Sequence, residues 1–322
     1  MDPEAGTVRQ SIAFPTIGII LLGGISDKTL RTPRHNSAGI AYTGLDTPVH
    51  VSTSVYFSGE EKGTINGEPA DTDSDRSPFV LLRKYRNRMG TPGGMKISFD
   101  SRNIGVLSGS SDAAAASFGK CIMDFSGGRI SPDEIEPDLR MISESAGRSL
   151  HGGLTITEVT EHGAITRSLL SESAFRDYAI VGCRFHSTRN PSDTIHENVV
   201  RNPKYSLRVE STRKKSETLK ALCESGDVEG IFDLAQEDTD EYHRLLVDSG
   251  VTVITPVMAR FVEFVRKEKK DSWLSYIITG GSNVFVVTRR NRAGRIVEEA
   301  DRFSFSPSLL RVAGAPQSVQ SA

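Results

Sequence analysis

A glycine- and serine-rich stretch that runs into a row of alanines is the most constraining pattern in the sequence. Residues 103–112 read Asn-Ile-Gly-Val-Leu-Ser-Gly-Ser-Ser-Asp, and the four residues after them are all alanine. Ser110 or Ser111 is a suitable N-cap, Asp112 suits the first turn, and alanine has the highest helix propensity. The pattern therefore predicts a loop followed by a helix that continues to about Phe125.

A loop of this kind at a helix N-terminus is suited to binding an anion. Its unpaired backbone N–H groups point outward, and the helix dipole adds about half a positive charge. The segment lacks both the Gly-Lys-Ser/Thr of a Walker loop and the Gly-x-Gly-x-x-Gly fingerprint of dinucleotide-binding proteins. Helix capping alone explains the two serines as well as phosphate binding does, so this segment by itself leaves both interpretations open.

Two further segments carry residues typical of a ligand site. Residues 279–283 (Thr-Gly-Gly-Ser-Asn) separate two apolar segments, and a glycine turn there lets the backbone approach a ligand, although a plain hairpin explains it too. Glu144 and Arg148 are four residues apart, which predicts one helix face and fits an ordinary surface ion pair. Arg148 is also compatible with a carboxylate clamp, because a guanidinium matches a carboxylate with two bonds.

Composition and charge argue against several classes of protein. A net charge of −2 does not suit a nucleic-acid or anionic-membrane binder. The longest apolar run, residues 17–25, is shorter than the ~20 residues of a membrane span, and no cationic leader precedes it. The three cysteines are far apart, so we expect no disulfide framework or zinc site and a reducing, cytoplasmic compartment. The sequence contains no Gly-x-Ser-x-Gly nucleophile elbow, which argues against a Ser-His-Asp hydrolase.

The hydrophobic patterns indicate an α+β fold in two layers. Helical and strand-like segments alternate without a regular βαβ rhythm, and 322 residues exceed one typical core, so two packed domains are expected. Residues 1–60 are strand-like, Asn66-Gly67 predicts a tight turn, and Ser131-Pro132 predicts a helix that runs to about residue 149. Further helices are predicted at 77–88, 228–247 and 255–270, strands at 273–278 and 284–287, and a frayed end at 314–322.

In this order, the segments resemble the GHMP kinases, whose phosphate loop has the form Gly-Leu-x-Ser-Ser-Ala before a helix. Within that superfamily they are similar to the diphosphomevalonate decarboxylase branch. Residues 143–153 (Ser-Glu-Ser-Ala-Gly-Arg-Ser-Leu-His-Gly-Gly) match the decarboxylase segment Gly-Ser-Ala-Cys-Arg-Ser-Leu-Phe-Gly-Gly. Residues 279–283 lie where that family has Asp-Ala-Gly-Pro-Asn, and residues 14–23 match Ala-Pro-x-Asn-Ile-Ala-x-Ile-Lys-Tyr.

Two departures from the decarboxylase pattern decide the function that the resemblance implies. Decarboxylases place an aspartate at the position of Thr279 and a lysine at or beside Leu22, and this sequence has neither. The archaeal mevalonate 3-kinases show the same two losses. The strings at residues 107–112, 144–150 and 189–193 are also similar to theirs. The sequence therefore resembles the mevalonate 3-kinases more than the decarboxylases.

The resemblance implies a two-domain GHMP kinase fold. Its N-terminal ATP-binding domain (residues 1–188) would be similar to domain 2 of ribosomal protein S5, and its C-terminal domain (residues 189–322) would be ferredoxin-like. The implied activity is transfer of phosphate from ATP, with Mg²⁺, to the tertiary 3-hydroxyl of mevalonate. The product would be mevalonate 3-phosphate, formed without decarboxylation in an archaeal-type isoprenoid pathway. A homodimer with no nucleic-acid or membrane partner is also implied.

The resemblance further implies roles for individual residues. Thr279 would face the 3-hydroxyl without acting as a base, because phosphoryl transfer depends on positioning and charge neutralisation. Arg148 would bind the mevalonate carboxylate. Glu144 would bind the 5-hydroxyl or repel a 5-phosphate, and Arg189 would orient the substrate or pair with Glu144. Leu21 and Leu22 would form an apolar wall near the 3-methyl group. The ATP phosphates would be bound by Ser108, Gly109, Ser110, Ser111, Asp112 and Ser192, with Mg²⁺ on Ser110 or Ser111. The adenine would lie near Asn66 and Gly67.

Several alternatives remain at this point. Asp112 fits a plain helix-start charge as well as a ligand, and residues 66–67 fit a plain turn. A true mevalonate phosphate or diphosphate decarboxylase could use Asp193 or Asp238 in place of the missing base. A non-catalytic binding protein with the GHMP fold is the third alternative, although the intact phosphate loop and Arg148 argue against it.

Overall fold

Two β-sheets with helices packed against them form the framework of the molecule. The structure is a computed structural model that describes residues 7–27, 29–185, 191–270, 272–281 and 283–319. Among the described residues, none of the helices combines the length and apolarity that a bilayer span requires. The strands are β1 (Val8–Ala13), β2 (Thr16–Ile20), β3 (Ser37–Gly44), β4 (His50–Ser58), β5 (Gly63–Ile65), β6 (Glu68–Pro69), β7 (Lys96–Ile104), β8 (Leu154–Thr160), β9 (Gly163–Leu170), β10 (Tyr178–Arg184), β11 (Leu274–Ile278), β12 (Asn283–Arg289), β13 (Phe305–Val312) and β14 (Gln317–Val319). The helices are α1 (Pro78–Tyr85), α2 (Ser110–Phe125), α3 (Pro132–Leu139), α4 (Ala146–His151), α5 (Ser192–Arg201), α6 (Tyr205–Ser225), α7 (Val228–Asp248), α8 (Pro256–Glu268) and α9 (Ala293–Asp301).

The first sheet has the strand order β14-β1-β4-β7-β5-β6 and is antiparallel except for the pairing of β5 with β7. Along β4 buried and half-buried residues alternate, as expected for a strand with one covered face. Helix α2 packs against β1 and β4 on that face, and α1 and α3 pack against α2. The Phe99 ring lies 4.9 Å from the rings of both Phe79 and Phe118, so aromatic packing fixes α1 and α2 on the sheet.

The second sheet has the order β11-β12-β10-β13-β3-β8-β9, and β2 pairs with β3 beside this path. Strands β2, β3 and β11 are buried along their whole length, and their residues are apolar or small and uncharged, as expected for strands that are covered on both faces. Helix α7 packs against β2 and β11. Because β3 pairs with β13, one sheet contains strands from both halves of the chain. The predicted division at residues 188 and 189 lies outside the described residues and stays a prediction.

The start of α2 differs from the sequence prediction. The N-cap is Gly109, with a φ of +75°, and neither Ser110 nor Ser111 caps the helix. A Cβ atom at Gly109 would lie 2.5 Å from the backbone N and O of Thr16, so only glycine fits this left-handed position. The serine hydroxyls are consequently not needed for capping, and the Ser111 hydroxyl lies 3.2 Å from the Ser143 hydroxyl instead.

Residues 131–149 do not form the single continuous helix that was predicted. Ser131 caps α3 as expected, but that helix ends at Leu139 and α4 begins only at Ala146. Within the break, the Ser143 hydroxyl donates a 2.6 Å hydrogen bond to Asp112, and this long-range bond competes with helix continuation. Glu144 therefore precedes α4 and does not share a helix face with Arg148, which corrects the predicted surface pair.

Most other predicted elements are confirmed, with ends that differ by a few residues. Asn66 and Gly67 have φ of +54° and +87° between β5 and β6, the conformation of a type I′ hairpin turn. The predicted frayed end is partly wrong, because β14 pairs with β1; residues 320–322 lie outside the described range. The helices predicted at 77–88, 228–247 and 255–270 correspond to α1, α7 and α8, and the strands predicted at 273–278 and 284–287 correspond to β11 and β12.

Candidate active site

A cleft of about 360 Å³ opens where the loop before α2, the end of β2, the break before α4 and the β11–β12 turn converge. Each of these segments comes from a different part of the chain, and the two sheets bring them together. The cleft contains most of the predicted site residues. Those that line it are Leu21, Leu22, Ser108, Gly109, Ser110, Asp112, Glu144, Arg148, Ser192 and Thr279.

Side chains from the second sheet fix the loop before α2. The Tyr42 hydroxyl donates to the Ser108 carbonyl (2.7 Å) and accepts from the Ser108 N–H (3.0 Å). Asn283 donates to the Leu107 carbonyl at 2.9 Å. Burial raises the pKa of Tyr42, so its hydroxyl keeps the proton that it donates. The loop is thus held rigid while the N–H groups of the first turn of α2 have no partners within the helix, as an anion site requires.

Asp112 is more than a helix-start charge. It is buried, and it accepts hydrogen bonds from the hydroxyls of Thr16 and Ser143, the latter at 2.6 Å. Burial raises the pKa of Asp112, and the two hydrogen bonds and the charge of Arg148 oppose that shift. The carboxylate therefore ties β2, α2 and the break before α4 together at the floor of the cleft.

Arg148 is a buried cation with unused hydrogen-bonding capacity. Within the described part of the chain, its Nε and Nη2 atoms are buried without a hydrogen-bond partner. Burial lowers the pKa of Arg148, which reflects the cost of holding a charge away from water. A Cβ atom on Gly39 would lie 2.5 Å from Arg148 Cδ, so a glycine is needed to accommodate this side chain. The arrangement favours an anionic ligand that supplies the missing acceptors.

Glu144 is paired with residues that the sequence analysis did not identify as partners. Arg31 Nε lies 3.0 Å from one carboxylate oxygen and His196 Nε2 lies 2.8 Å from the other. His196 Nδ1 accepts a hydrogen bond from the Gly24 N–H (2.9 Å), so Nε2 carries the proton and donates it to Glu144. Burial acts to raise the pKa of Glu144, but the His196 hydrogen bond and the Arg31 charge hold it well below its ordinary range.

This depressed pKa gives a testable dependence of stability on pH. A carboxylate whose pKa is lower in the folded state stabilises the fold above its ordinary pKa of 4.5, and the contribution is lost as the pH falls through the folded value. We expect Glu144→Gln to lower the free energy of unfolding by about 3 kcal/mol at pH 7, because the buried Arg31 guanidinium keeps only the half-exposed Asp193 as an anionic partner. Urea unfolding at pH 7 and at pH 3, which is well below the ordinary pKa, measures this, and the gap to wild type should shrink at pH 3. Glu134→Gln, which removes an exposed pair with Arg88, is the control and should change little. An equal gap at both pH values would contradict the prediction.

No ionisable side chain stands at the position of Thr279. Its hydroxyl donates to the Gly281 carbonyl at 3.0 Å, and the residue is buried in the turn between β11 and β12. The two acids considered as replacement bases do not line the cleft. Asp193 is half-exposed and pairs with Arg31, whereas Asp238 is buried in a pair with Arg208. The geometry therefore gives no support to Asp193 or Asp238 as a substitute base.

Several predicted residues lie elsewhere or cannot be placed. Arg189 falls outside the described residues. Ser111 does not line the cleft, so Ser110 is the better placed of the two serines to contact a ligand. Asn66 accepts a 2.8 Å hydrogen bond from the Asn103 N–H and, like Gly67, lies outside the lining of the cleft. Their proximity to adenine stays a prediction.

The cleft offers oxygen donors of the kind that bind a magnesium ion together with nucleotide phosphates. Among the described residues there is no group of three or more His, Cys, Asp or Glu side chains that could hold a metal ion. Mg²⁺ commonly takes one or two protein oxygens and completes its shell with water and substrate phosphates. The hydroxyl of Ser110 and the nearby carboxylate of Asp112 are oxygen donors of this kind.

Comparison with known proteins identifies the family. The model of the diphosphomevalonate decarboxylase-like N-terminal domain matches residues 13–168, and that of the mevalonate-3-kinase C-terminal domain matches residues 190–293. The mevalonate-3-kinase of Picrophilus torridus is 43% identical over 309 residues, which cover 95% of each chain. The chain belongs to the mevalonate 3-kinase family. The mevalonate 3-kinase of Thermoplasma acidophilum is 42% identical over 94% of this chain and 95% of its own.

Solved structures place this mevalonate 3-kinase family member within the predicted fold class. The T. acidophilum enzyme with mevalonate 3-phosphate and ADP bound matches with a TM-score of 0.92 at 39% identity, over 99% of this chain and 100% of the other. The mevalonate diphosphate decarboxylase of Staphylococcus aureus matches with a TM-score of 0.84 at only 17% identity, which shows a shared fold. The predicted α+β, two-domain GHMP kinase fold is confirmed.

Proposed function

We propose that this protein transfers the γ-phosphoryl group of ATP to the tertiary 3-hydroxyl of mevalonate and produces ADP and mevalonate 3-phosphate without releasing CO₂. The observation that carries the proposal is the combination, in one cleft, of a buried cation at Arg148 with a neutral side chain at Thr279. The first suits a carboxylate, and the second provides no base. The relatives named mevalonate 3-kinase support the same activity.

The loop before α2 is proposed to bind the nucleotide. Its N–H groups at Gly109 to Asp112 and the Ser110 hydroxyl would contact the phosphates, together with Ser192, which also lines the cleft. Bound Mg²⁺ would neutralise phosphate charge, with the Ser110 hydroxyl among its ligands. ADP in the related T. acidophilum structure supports ATP as the phosphate donor.

Mevalonate is proposed to bind with its carboxylate on Arg148 and its 3-methyl group against Leu21 and Leu22. This orientation directs the 3-hydroxyl toward Thr279 and the nucleotide loop. Phosphoryl transfer has a loose transition state, so fixing the two reacting groups in line can supply most of the acceleration without a strong base. The mevalonate-bound structure of the T. acidophilum enzyme supports this choice of substrate.

Glu144 is proposed to select mevalonate that is not phosphorylated at its 5-hydroxyl. Its low pKa keeps it ionised near neutral pH, so it can accept a hydrogen bond from an alcohol but repels a phosphate. Arg189 is proposed to orient the substrate or to pair with Glu144. We also propose a cytoplasmic homodimer that acts in an archaeal-type isoprenoid pathway, with domains at residues 1–188 and 189–322.

Product analysis tests the proposed reaction. Purified protein is incubated with Mg-ATP and mevalonate, and ³¹P NMR is run beside a ¹⁴CO₂ assay on carboxyl-labelled mevalonate. We expect one new phosphomonoester on the tertiary carbon, equimolar ADP and no labelled CO₂. Labelled CO₂ would instead indicate a decarboxylase with a replaced base. No turnover of mevalonate or its 5-phosphates, together with no binding of ATP, would indicate a non-catalytic binding protein. Samples without mevalonate control for ATP hydrolysis.

A further inference from the structure

Residues 21–24 form part of the cleft wall without belonging to a strand or helix. They follow β2, and Leu21 and Leu22 line the cleft. A segment of this kind is normally mobile unless other groups satisfy its backbone. Here buried side chains bond several of its peptide groups: the Gly23 carbonyl accepts from the Tyr205 hydroxyl, and the Gly24 N–H donates to His196.

The strongest of these attachments is a buried ion pair that binds both the backbone N–H and the backbone carbonyl of one residue, Leu21. Asp238 on α7 accepts from the Leu21 N–H at 2.7 Å, and Arg208 on α6 donates to the Leu21 carbonyl at 2.7 Å. Arg208 also donates to both oxygens of Asp238, at 2.6 and 2.9 Å. Asp238 is 0% exposed and Arg208 is 2% exposed. We call this arrangement the Leu21 brace.

Stability alone does not explain the Leu21 brace. Removing two charges from water has a large cost, and apolar residues of similar volume often replace a buried ion pair without loss of stability. Burial acts to raise the pKa of Asp238, but the charge and hydrogen bonds of Arg208, together with the charge of Lys215, lower it overall, so the carboxylate stays ionised at neutral pH. What the ion pair provides and an apolar pair does not is two directional hydrogen bonds to Leu21.

The Leu21 brace also fixes a second part of the cleft wall. The guanidinium carbon of Arg208 lies 5.1 Å from the ring centre of Tyr242, a cation–π contact, and Tyr242 lines the cleft. A Cβ atom on Gly23 would lie 2.5 Å from Tyr242 Cε2, so the ring packs directly on the backbone of the wall segment. Arg208 therefore contacts the wall both through Leu21 and through Tyr242.

We propose that Arg208 and Asp238 are positioning residues that hold the apolar wall of Leu21 and Leu22 against the site of phosphoryl transfer. This inference rests on the proposed function. With the wall in place, water is kept from the γ-phosphorus and the 3-hydroxyl is the nucleophile that attacks it. With the wall displaced, water attacks the same phosphorus, the bond to the ADP oxygen breaks, and ADP, inorganic phosphate and a proton are formed.

The test replaces both charges at once with apolar side chains, in Arg208→Met/Asp238→Leu. This variant keeps the packing volume and leaves neither Arg208 nor Asp238 as an unpaired buried charge. Lys215 loses its 3.1 Å contact with Asp238 but retains its 2.6 Å contact with Glu241. We expect the double variant to bind ADP normally, to lose roughly 10²-fold in kcat, and to form clearly more ADP than mevalonate 3-phosphate. Glu241→Gln is the matched control, because Glu241 contacts Arg208 at 3.0 Å but not Leu21, and its ratio of the two products should stay at wild-type level.

Hydrogen exchange provides a readout that does not depend on catalysis. Amide exchange of a peptide covering residues 19–25 should be faster in the double variant than in wild type and unchanged in Glu241→Gln. A folded double variant with wild-type exchange and a wild-type product ratio would overturn the inference. If it fails to fold, Asp238→Asn, which keeps the shape and one acceptor, is measured in the same way. A wild-type protein that does not phosphorylate mevalonate would contradict the proposed function, and the exchange comparison would still decide on the Leu21 brace.

Discussion

Replacing Arg148 with methionine is expected to lower kcat/KM for mevalonate by at least roughly 10²-fold and, at the same time, to stabilise the unliganded protein. The activity is lost because the variant would have to bury the mevalonate carboxylate without a cationic partner, which costs about 3–5 kcal/mol. The stability is gained because two guanidinium nitrogens of Arg148 are buried without partners in the described structure, and methionine removes that penalty, which is about 1–3 kcal/mol.

The two opposite effects make this prediction specific. Initial rates are measured against mevalonate and against ATP, and thermal unfolding is measured with and without mevalonate. We expect the wild-type protein to gain stability from mevalonate and the variant to gain none. Arg167→Met removes an exposed arginine on β9 and serves as the control. A variant that is both less active and less stable without ligand would show that Arg148 has a structural partner and is not the carboxylate clamp.

Substituting alanine for Gly109 is expected to lower kcat/KM for ATP by at least roughly 10²-fold, because it displaces the loop that we assign to the phosphates. The φ of +75° is costly for any residue with a Cβ atom. In addition, the Cβ would lie 2.5 Å from the backbone of Thr16, which no side-chain rotation relieves. The loop must therefore move away from β2, and its N–H groups leave the geometry that binds an anion.

Gly128→Ala separates these two causes. Gly128 has a similar φ of +78° beyond the other end of α2, but an added Cβ would meet nothing within 4 Å. Gly128→Ala therefore introduces the backbone strain of a positive φ without the steric clash that a Cβ atom causes at Gly109. Kinetics against ATP and fluorescent-ADP binding are compared for the two variants, with thermal unfolding as a check on folding. Equal loss of ATP affinity in both would refute a specific role for the loop at Gly109.

The sequence indicated the cleft residues whose type and local pattern are unusual. The glycine-serine loop, Arg148 near a helix end and the Thr279 turn were each recognisable within about ten residues of sequence, and all three line the cleft. Local patterns predict such features because backbone conformation depends on neighbouring residues. The resemblance to a known family added the substrate, which no local pattern specifies.

The partners of Glu144 were not predictable in the same way. Arg31 is 113 positions away from it in the chain and His196 is 52 positions away, and neither lies in a segment with a distinctive pattern. The break between α3 and α4 has the same cause, since it depends on the contact between Ser143 and the distant Asp112. Helix propensity favours continuity there, and tertiary hydrogen bonds override it.

The positions of the last two strands have a consequence for how the chain folds as it is made. Strand β13 pairs with both β10 and β3, and β14 pairs with β1 at the edge of the other sheet. Thr43, for example, pairs with Arg311, so it is synthesised more than two hundred residues before its partner in the sheet. Such non-local pairing slows folding. We expect the nascent chain to expose the open edges of β1 and β3 until residues 305–319 have left the ribosome exit tunnel, so that both sheets are completed only after that point.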